Sequence, residues 1–262
     1  RLMLAQLNPV VGDIAGNIAK ARAAWEAGRD AGADMVALTE MFVTGYQTQD
    51  LILKPAFVAD AMAGIERLAT DCADGPALGI GGPVRAEGKL YNGYYVLQGG
   101  RVHARVLKHH LPNDAVFDEK RIFASADVHG PYVVNGIRIG TPICEDAWHP
   151  DVAETLGETG AEILLIPNGS PYHRGKPNLR LNLMVSRVVE TGLPLVYLNM
   201  VGGQDDQVFD GSSMVLNPGG RLAAHLRGDV YARLMSLSPA YFSKLKAGEA
   251  VSRLTADVTL IE

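Results

Sequence analysis

Hydrophobic positions along this chain fall into short, nearly continuous runs separated by segments with a helical repeat. Residues 2–7 (LMLAQL) read as a buried strand, and Asp13 or Asn17 can cap the Ala-rich helix that follows as far as Gly28. Residues 35–39 (MVALT) are a second buried strand, ending on Glu40. Residues 57–73 carry the next helical pattern, closed by Asp74-Gly75-Pro76, and residues 78–82 return to strand. Residues 90–97 and 102–107 flank Gly99-Gly100 as a hairpin. Residues 133–143 hold a second hairpin around Asn135-Gly136, from which the chain emerges at Cys144. Further strands are expected at 163–166, 195–199 and 213–216, with a helix at 179–191 between the first two.

Strands in both hairpin and crossover relations imply an α/β fold, with a mixed sheet or two sheets and helices outside. No repeat and no Pro/Gly/Ser linker interrupts the first 226 residues, so residues 1–228 are expected to form one domain. The remainder, 229–262, differs in character. From residue 237 it has weak periodicity and few large apolar side chains, and reads as an arm or the start of a connection.

Composition narrows the classes of function. With 262 residues, 47% of them hydrophobic, the chain can bury one large core. A formal charge of −5 argues against a nucleic-acid partner. No apolar run is long enough to cross a bilayer and no secretory signal opens the chain, so no membrane association is expected. Two cysteines make neither a disulfide framework nor a metal-ligand pattern, so no metal site is expected and a reducing cytoplasm is the natural setting. Cys72 lies in the second helical stretch, where a small buried thiol is the ordinary reading. The chain begins at Arg1 rather than Met, which suggests a piece of a longer protein.

Three reactive side chains close apolar strands: Glu40, Lys108 and Cys144. Strand ends commonly gather at one rim of an α/β sheet. A thiol near its ordinary pKa is a poor nucleophile until a neighbouring base takes its proton, which a carboxylate can do. A fixed ammonium can hold the oxyanion of a tetrahedral intermediate. Cys, Glu and Lys together therefore suffice for acyl transfer from an amide through a thioester. Each residue alone also has an ordinary explanation: a solvated loop Glu, a surface Lys, a small buried Cys. If the trio works together, the Cys144 sulfur should lie roughly 3–4.5 Å from a Glu40 oxygen. The Lys108 ammonium should lie within about 4–5 Å of one or both.

The segments ALTEMFVTGY at 37–46, KHHLPN at 108–113 and CEDAW at 144–148 resemble the three signature segments of the nitrilase superfamily, in the right order. The resemblance runs from Leu2 to about Leu226. It implies a four-layer α-β-β-α sandwich, with Glu40 as general base, Lys108 as oxyanion-stabilising residue and Cys144 as nucleophile. It also implies a second oxyanion donor in the backbone N–H of Glu145, and an auxiliary glutamate at Glu119, within VFDEKRIF at 116–123.

A narrower resemblance rests on LPN, VFDEKRIF, NGSPY at 168–172 and VGGQDDQVFDGSS at 201–213. These are similar to the glutaminase domain of glutamine-dependent NAD⁺ synthetases, with departures at Asp114 and Asp206, where that family usually has Tyr and Glu. The resemblance implies L-glutamine as substrate, bound around Tyr46, Trp148, Ser170 and Lys176. It also implies ammonia delivery to a synthetase domain in cis, a homo-oligomer, and no cofactor for the glutaminase reaction itself. ATP and Mg would serve only that synthetase domain, whose Ser-Gly-Gly-Val-Asp-Ser type of loop is absent from this sequence. Gly202-Gly203 and Gly211 read as positive-φ turns rather than a phosphate cradle. Two rival readings are a stand-alone amidase or carbamoylase acting on another small amide, and a catalytically silent assembly domain.

Overall fold

The computed structural model describes residues 1–226 and the strand at 257–261. In chain order the elements are β1 (Leu2–Gln6), α1 (Ile14–Asp30), β2 (Met35–Ala37), α2 (Pro55–Asp71), β3 (Ala77–Ala86), β4 (Lys89–Gln98), β5 (Arg101–Leu107), α3 (Glu119–Ile122), β6 (Tyr132–Val134) and β7 (Ile137–Gly140). They continue as α4 (Pro150–Glu158), β8 (Ile163–Asn168), α5 (Lys176–Thr191), β9 (Leu195–Asn199), β10 (Val201–Gln204), β11 (Gln207–Asp210), β12 (Ser213–Leu216), β13 (Leu222–Leu226) and β14 (Asp257–Ile261).

Among the described residues two six-stranded sheets form, ordered β14-β1-β2-β3-β4-β5 and β13-β12-β9-β8-β7-β6. Both are mixed: β1, β2 and β3 pair in parallel, as do β7, β8 and β9, while the outer neighbours are antiparallel. The side-chain alternation explains the layers. Leu4, Tyr94, Val96, Leu165, Val196 and Leu198 share the core that holds the two sheets together. Their chain neighbours Met3, Ala5, Tyr95 and Leu97 point the other way, against α1 and α2. Leu164, Ile166, Leu195 and Tyr197 likewise face α4 and α5. Strands covered on both faces need apolar residues at every position, which is why their sequences read as continuous runs. The result is the expected α-β-β-α sandwich.

α1 begins where Asp13 Oδ1 accepts the Gly16 N–H at 2.9 Å, as a helix N-cap should. Asn17 lies inside this helix instead; its side chain clamps Val10 and Val43 through backbone hydrogen bonds.

The structure departs from the sequence reading at several points. The hairpin read over 133–143 forms, but its second strand ends at Gly140, because Pro142 has no N–H for the ladder and the chain turns there toward Cys144. The strand read as 35–39 has ladder pairing only over 35–37, although the Leu38 N–H still donates to Gly79 O and Thr39 O accepts from the Gly81 N–H. The segment 201–210, read for its glycines, is a hairpin; Gly202 and Gly211 have positive φ, but Gly203 does not, and Asp205 takes the positive-φ turn position. The short helix α4 was not anticipated, nor was β14, which pairs antiparallel with β1. The rest of the segment read as an arm, 229–256 and residue 262, lies outside the described residues. Among the described residues no helix is long and apolar enough to cross a membrane.

Candidate active site

Glu40, Lys108 and Cys144 lie at the ends of β2, β5 and the segment after β7, and all are 0–4% exposed. Glu40 is held close against β3. A Cβ on Gly81 would meet Met41 N at 2.2 Å and Glu40 C at 2.6 Å, so only glycine allows that approach. Both carboxylate oxygens of Glu40 are occupied. Oε1 accepts from Lys108 Nζ at 2.7 Å and from Asn92 Nδ2 at 2.8 Å, and Oε2 accepts the Gly169 N–H at 2.8 Å.

Lys108 Nζ also lies 2.9 Å from Glu119 Oε2, which sets one ammonium between two buried carboxylates. Glu119 Oε1 accepts from the Tyr46 hydroxyl at 2.9 Å and from Asn92 Nδ2 at 3.2 Å. Burial works against the charge on Lys108, but Glu119 and Glu40 outweigh it and hold the ammonium well above its ordinary pKa. Burial pushes the Glu119 carboxyl up, with Lys108 opposing. Tyr46 is pushed well above its usual range by burial and then by Glu119.

Cys144 opens a 3₁₀ turn, Cys144–Trp148, with φ of +49°, a left-handed conformation that a residue with a Cβ adopts at a cost. Burial and then the Glu40 carboxylate raise its thiol pKa well above the ordinary value, with Lys108 pulling the other way. The thiol thus lies in the field of both partners, with burial and Glu40 favouring its neutral form and Lys108 opposing them. The turn is fixed by Asp146. Its Oδ2 accepts the Ile143 N–H at 2.9 Å, and its Oδ1 accepts the N–H groups of His109 and His110 at 3.1 and 2.6 Å. One carboxylate thus ties the cysteine turn to the residues just after Lys108.

The substrate-binding candidates surround this centre unevenly. Lys176 was read in a Gly/Pro-rich loop; it is instead the buried first residue of α5, with Nζ 4.3 Å from the centroid of the half-buried Trp148 ring. Burial lowers its pKa, while Cys144 and Glu145 oppose that shift, which places the ammonium in the field of the site. Ser170 is buried, and its Oγ accepts from Arg180 Nε at 3.2 Å, a tie to a distant residue rather than to local backbone. Glu145 is half-buried beside His149, at 3.6 Å. Asp114 and Asp206, where the sequence departs from the family pattern, are both exposed.

Sequence reasoning missed Asn92, Asp146 and Arg180. Asn92 is a fully buried amide in the middle of an apolar strand, a signal that was available. Arg180 is fully buried in α5 and binds Ser170 O, Pro171 O and Asp210, anchoring the loop that bears Ser170. Cys72 caps α2, buried in the outer core as expected of a structural thiol.

Over most of its length the chain is similar to proteins of known kind. A glutamine-dependent NAD(+) synthetase from Rhodobacter capsulatus is 62% identical over 226 residues, 86% of this chain and 41% of that protein. The chain therefore spans about two fifths of the curated relatives it matches. The structure of glutamine-dependent NAD+ synthetase from Acinetobacter baumannii, in complex with ADP, superimposes with a TM-score of 0.82 at 33% identity, covering 86% of this chain and 42% of that one. An amidase from Nesterenkonia sp. shares the fold, with a TM-score of 0.75 at 24% identity over 86% of this chain and 85% of that one. The sequence model described as Carbon-nitrogen hydrolase matches residues 1–230. With that match over a nitrilase-type sandwich, this chain belongs to the carbon-nitrogen hydrolase family.

Proposed function

We propose that this chain is a glutamine amidohydrolase unit that releases ammonia for NAD⁺ synthesis from deamido-NAD⁺. The observation that carries the reading is Lys108, held at 2.7 and 2.9 Å between the buried carboxylates of Glu40 and Glu119, with Glu40 and Lys108 both acting electrostatically on the buried Cys144 thiol. The R. capsulatus relative, at 62% identity, supplies the choice of glutamine among small amides.

Glu40 takes the thiol proton of Cys144 as sulfur attacks the side-chain carbonyl of glutamine. The oxyanion is met by the Lys108 ammonium and the Glu145 N–H. Collapse breaks the C–N bond, and protonated Glu40 gives its proton to the departing ammonia, leaving a γ-glutamyl thioester. Water, deprotonated by Glu40, then attacks the thioester; glutamate leaves and the thiol regains its proton. Glu119 holds the ammonium in place and receives the Tyr46 hydroxyl. Lys176 is suited to pair with the substrate α-carboxylate, against the Trp148 ring.

No metal or cofactor is assigned to this step. The Lys108 ammonium already fills the space between the carboxylates where a cation would sit. ATP and Mg belong, in this reading, to a synthetase domain in cis, and the assembled enzyme is a cytoplasmic homo-oligomer. The test is ammonia release from L-glutamine, with mass spectrometry after exposure to a glutamine-like diazo-ketone. Glutamine turnover with labelling at Cys144 supports the proposal. Turnover of other amides without that labelling points to a different amidase, and an inert thiol to an assembly role.

A further inference from the structure

The cysteines gave no metal pattern, but the fold assembles ligands that are not adjacent in sequence. His109 and His110 follow Lys108, and Asp151 stands in the first turn of α4. One ligand atom from each lies within 4.8 Å of the other two. His110 Nε2 is 2.9 Å from both Asp151 oxygens, and His109 Nε2 is 4.0 Å from Asp151 Oδ2.

A second observation fixes the state of one ligand. His109 Nδ1 lies 2.6 Å from the carbonyl oxygen of Ala126. A carbonyl only accepts, so Nδ1 carries a hydrogen, and in the neutral ring it is Nε2, on the side of the other two groups, that has the lone pair for a metal ion. This is the arrangement in which ligating histidines are commonly found, with the far nitrogen donating to a backbone carbonyl. A tetrahedral ion with bonds of about 2.0 Å needs ligand atoms roughly 3.3 Å apart. The observed 2.9 and 4.0 Å lie on either side of that spacing, so small side-chain rotations close the site.

The geometry points to a binding site for one divalent transition ion of the zinc type at His109, His110 and Asp151. Two imidazoles and one carboxylate suit zinc and its neighbours rather than the oxygen-seeking magnesium or calcium. The ion takes the place of the hydrogen shared between His110 and Asp151. A hollow of about 730 Å³ borders both imidazoles and also His149, Glu145 and Asp114, so a hydrated ion reaches the site and water completes its shell. The His149 ring packs 4.1 Å from that of His110 and shields one side. Once bound, the ion ties the segment after Lys108 to α4, on the outer side of the Asp146 clamp.

The test is titration of the full chain with zinc against a competing chromogenic chelator, repeated with cobalt for its visible spectrum. One equivalent should bind with a cobalt spectrum of nitrogen and oxygen ligands. H110A and D151N should each weaken zinc at least about tenfold, the loss typical when even a supporting partner of a ligand is removed. Thermal melts establish that the variants fold, and the exposed position of Asp151 keeps D151N informative if H110A does not. Absence of stoichiometric binding, an affinity unchanged in both variants, or a sulfur-to-cobalt band assigning the ion to a cysteine would overturn the proposal. In the first two cases His110 and Asp151 form an ordinary surface ion pair.

Discussion

Asp146 Oδ1 accepts the backbone N–H of His110 at 2.6 Å, across 36 residues of chain. Through this bond and the one to Ile143, the turn that presents Cys144 and the strand end that presents Lys108 become one rigid piece. Asp146→Asn keeps an oxygen for one side but turns an NH₂ group toward an N–H donor on the other. A buried donor left without a partner costs about 1–3 kcal/mol. The expected outcome is a kcat for glutamine at least about tenfold lower, with KM little changed, at temperatures well below the melt. An unchanged kcat in a folded variant would show that the clamp does not set the geometry.

Lys108→Ala removes the only ammonium among the described residues that pairs with Glu40 and Glu119. Turnover should fall by about 100- to 1000-fold, as for loss of an oxyanion donor. The two carboxylates are left buried and uncompensated, which should destabilise the fold by about 3–5 kcal/mol. Adding Glu119→Gln to Lys108→Ala removes one of the opposed charges. Chemical denaturation should then show recovered stability without recovered activity. If the double variant were less stable than Lys108→Ala, the mutual repulsion of the carboxylates would not be what destabilises it.

Cys144→Ala should release no ammonia from glutamine above background and should melt close to the parent chain. Alanine keeps a Cβ on the +49° backbone, and although Cys144 packs in the core between the two sheets, the change removes a single heavy atom. Coupled-enzyme assay of ammonia and a thermal melt check both halves. Residual turnover near that of the parent would remove Cys144 from the chemistry.

The parts of the site legible in the sequence were those with a reactive group and a recognisable setting. Glu40, Lys108 and Cys144 each follow a strand, but only the one before Glu40 is apolar throughout; β5 alternates with Arg101, His103 and Arg105, and β7 carries the exposed Arg138. Glu119 was found through its motif, not its position, since α3 is a single turn. What stayed hidden depends on partners distant in sequence. Asp146 looks like any acidic residue in a turn until the N–H groups of His109 and His110 are brought to it. Arg180 sits in a helix whose pattern reads as amphipathic, yet it is fully buried because Ser170, Pro171 and Asp210 surround its guanidinium. Lys176 read as part of a loop because Gly175 and Pro177 flank it, whereas that pair starts α5.

Glu40 has two effects on Cys144 that a single substitution can separate. As a charge, it stands next after burial among the causes that raise the thiol pKa. As a base, it accepts the thiol proton when substrate is attacked. Glu40→Gln removes both. Without the negative charge, and with Lys108 still pulling downward, the Cys144 pKa should fall, so the thiolate appears at lower pH than in the parent chain. Alkylation by iodoacetamide, followed against pH by mass spectrometry of the Cys144 peptide, should shift its midpoint downward. Cys72, pushed by burial to about 11, stays unreactive across the neutral range and serves as an internal control. Over the same pH range glutamine hydrolysis should fall by about 100- to 10,000-fold, the usual contribution of a general base. A thiol that becomes easier to alkylate while its catalysis collapses is the signature of a carboxylate acting as base. An upward shift of the midpoint, or hydrolysis kept within a few-fold of the parent, would reassign Glu40 to holding Lys108 and nothing more.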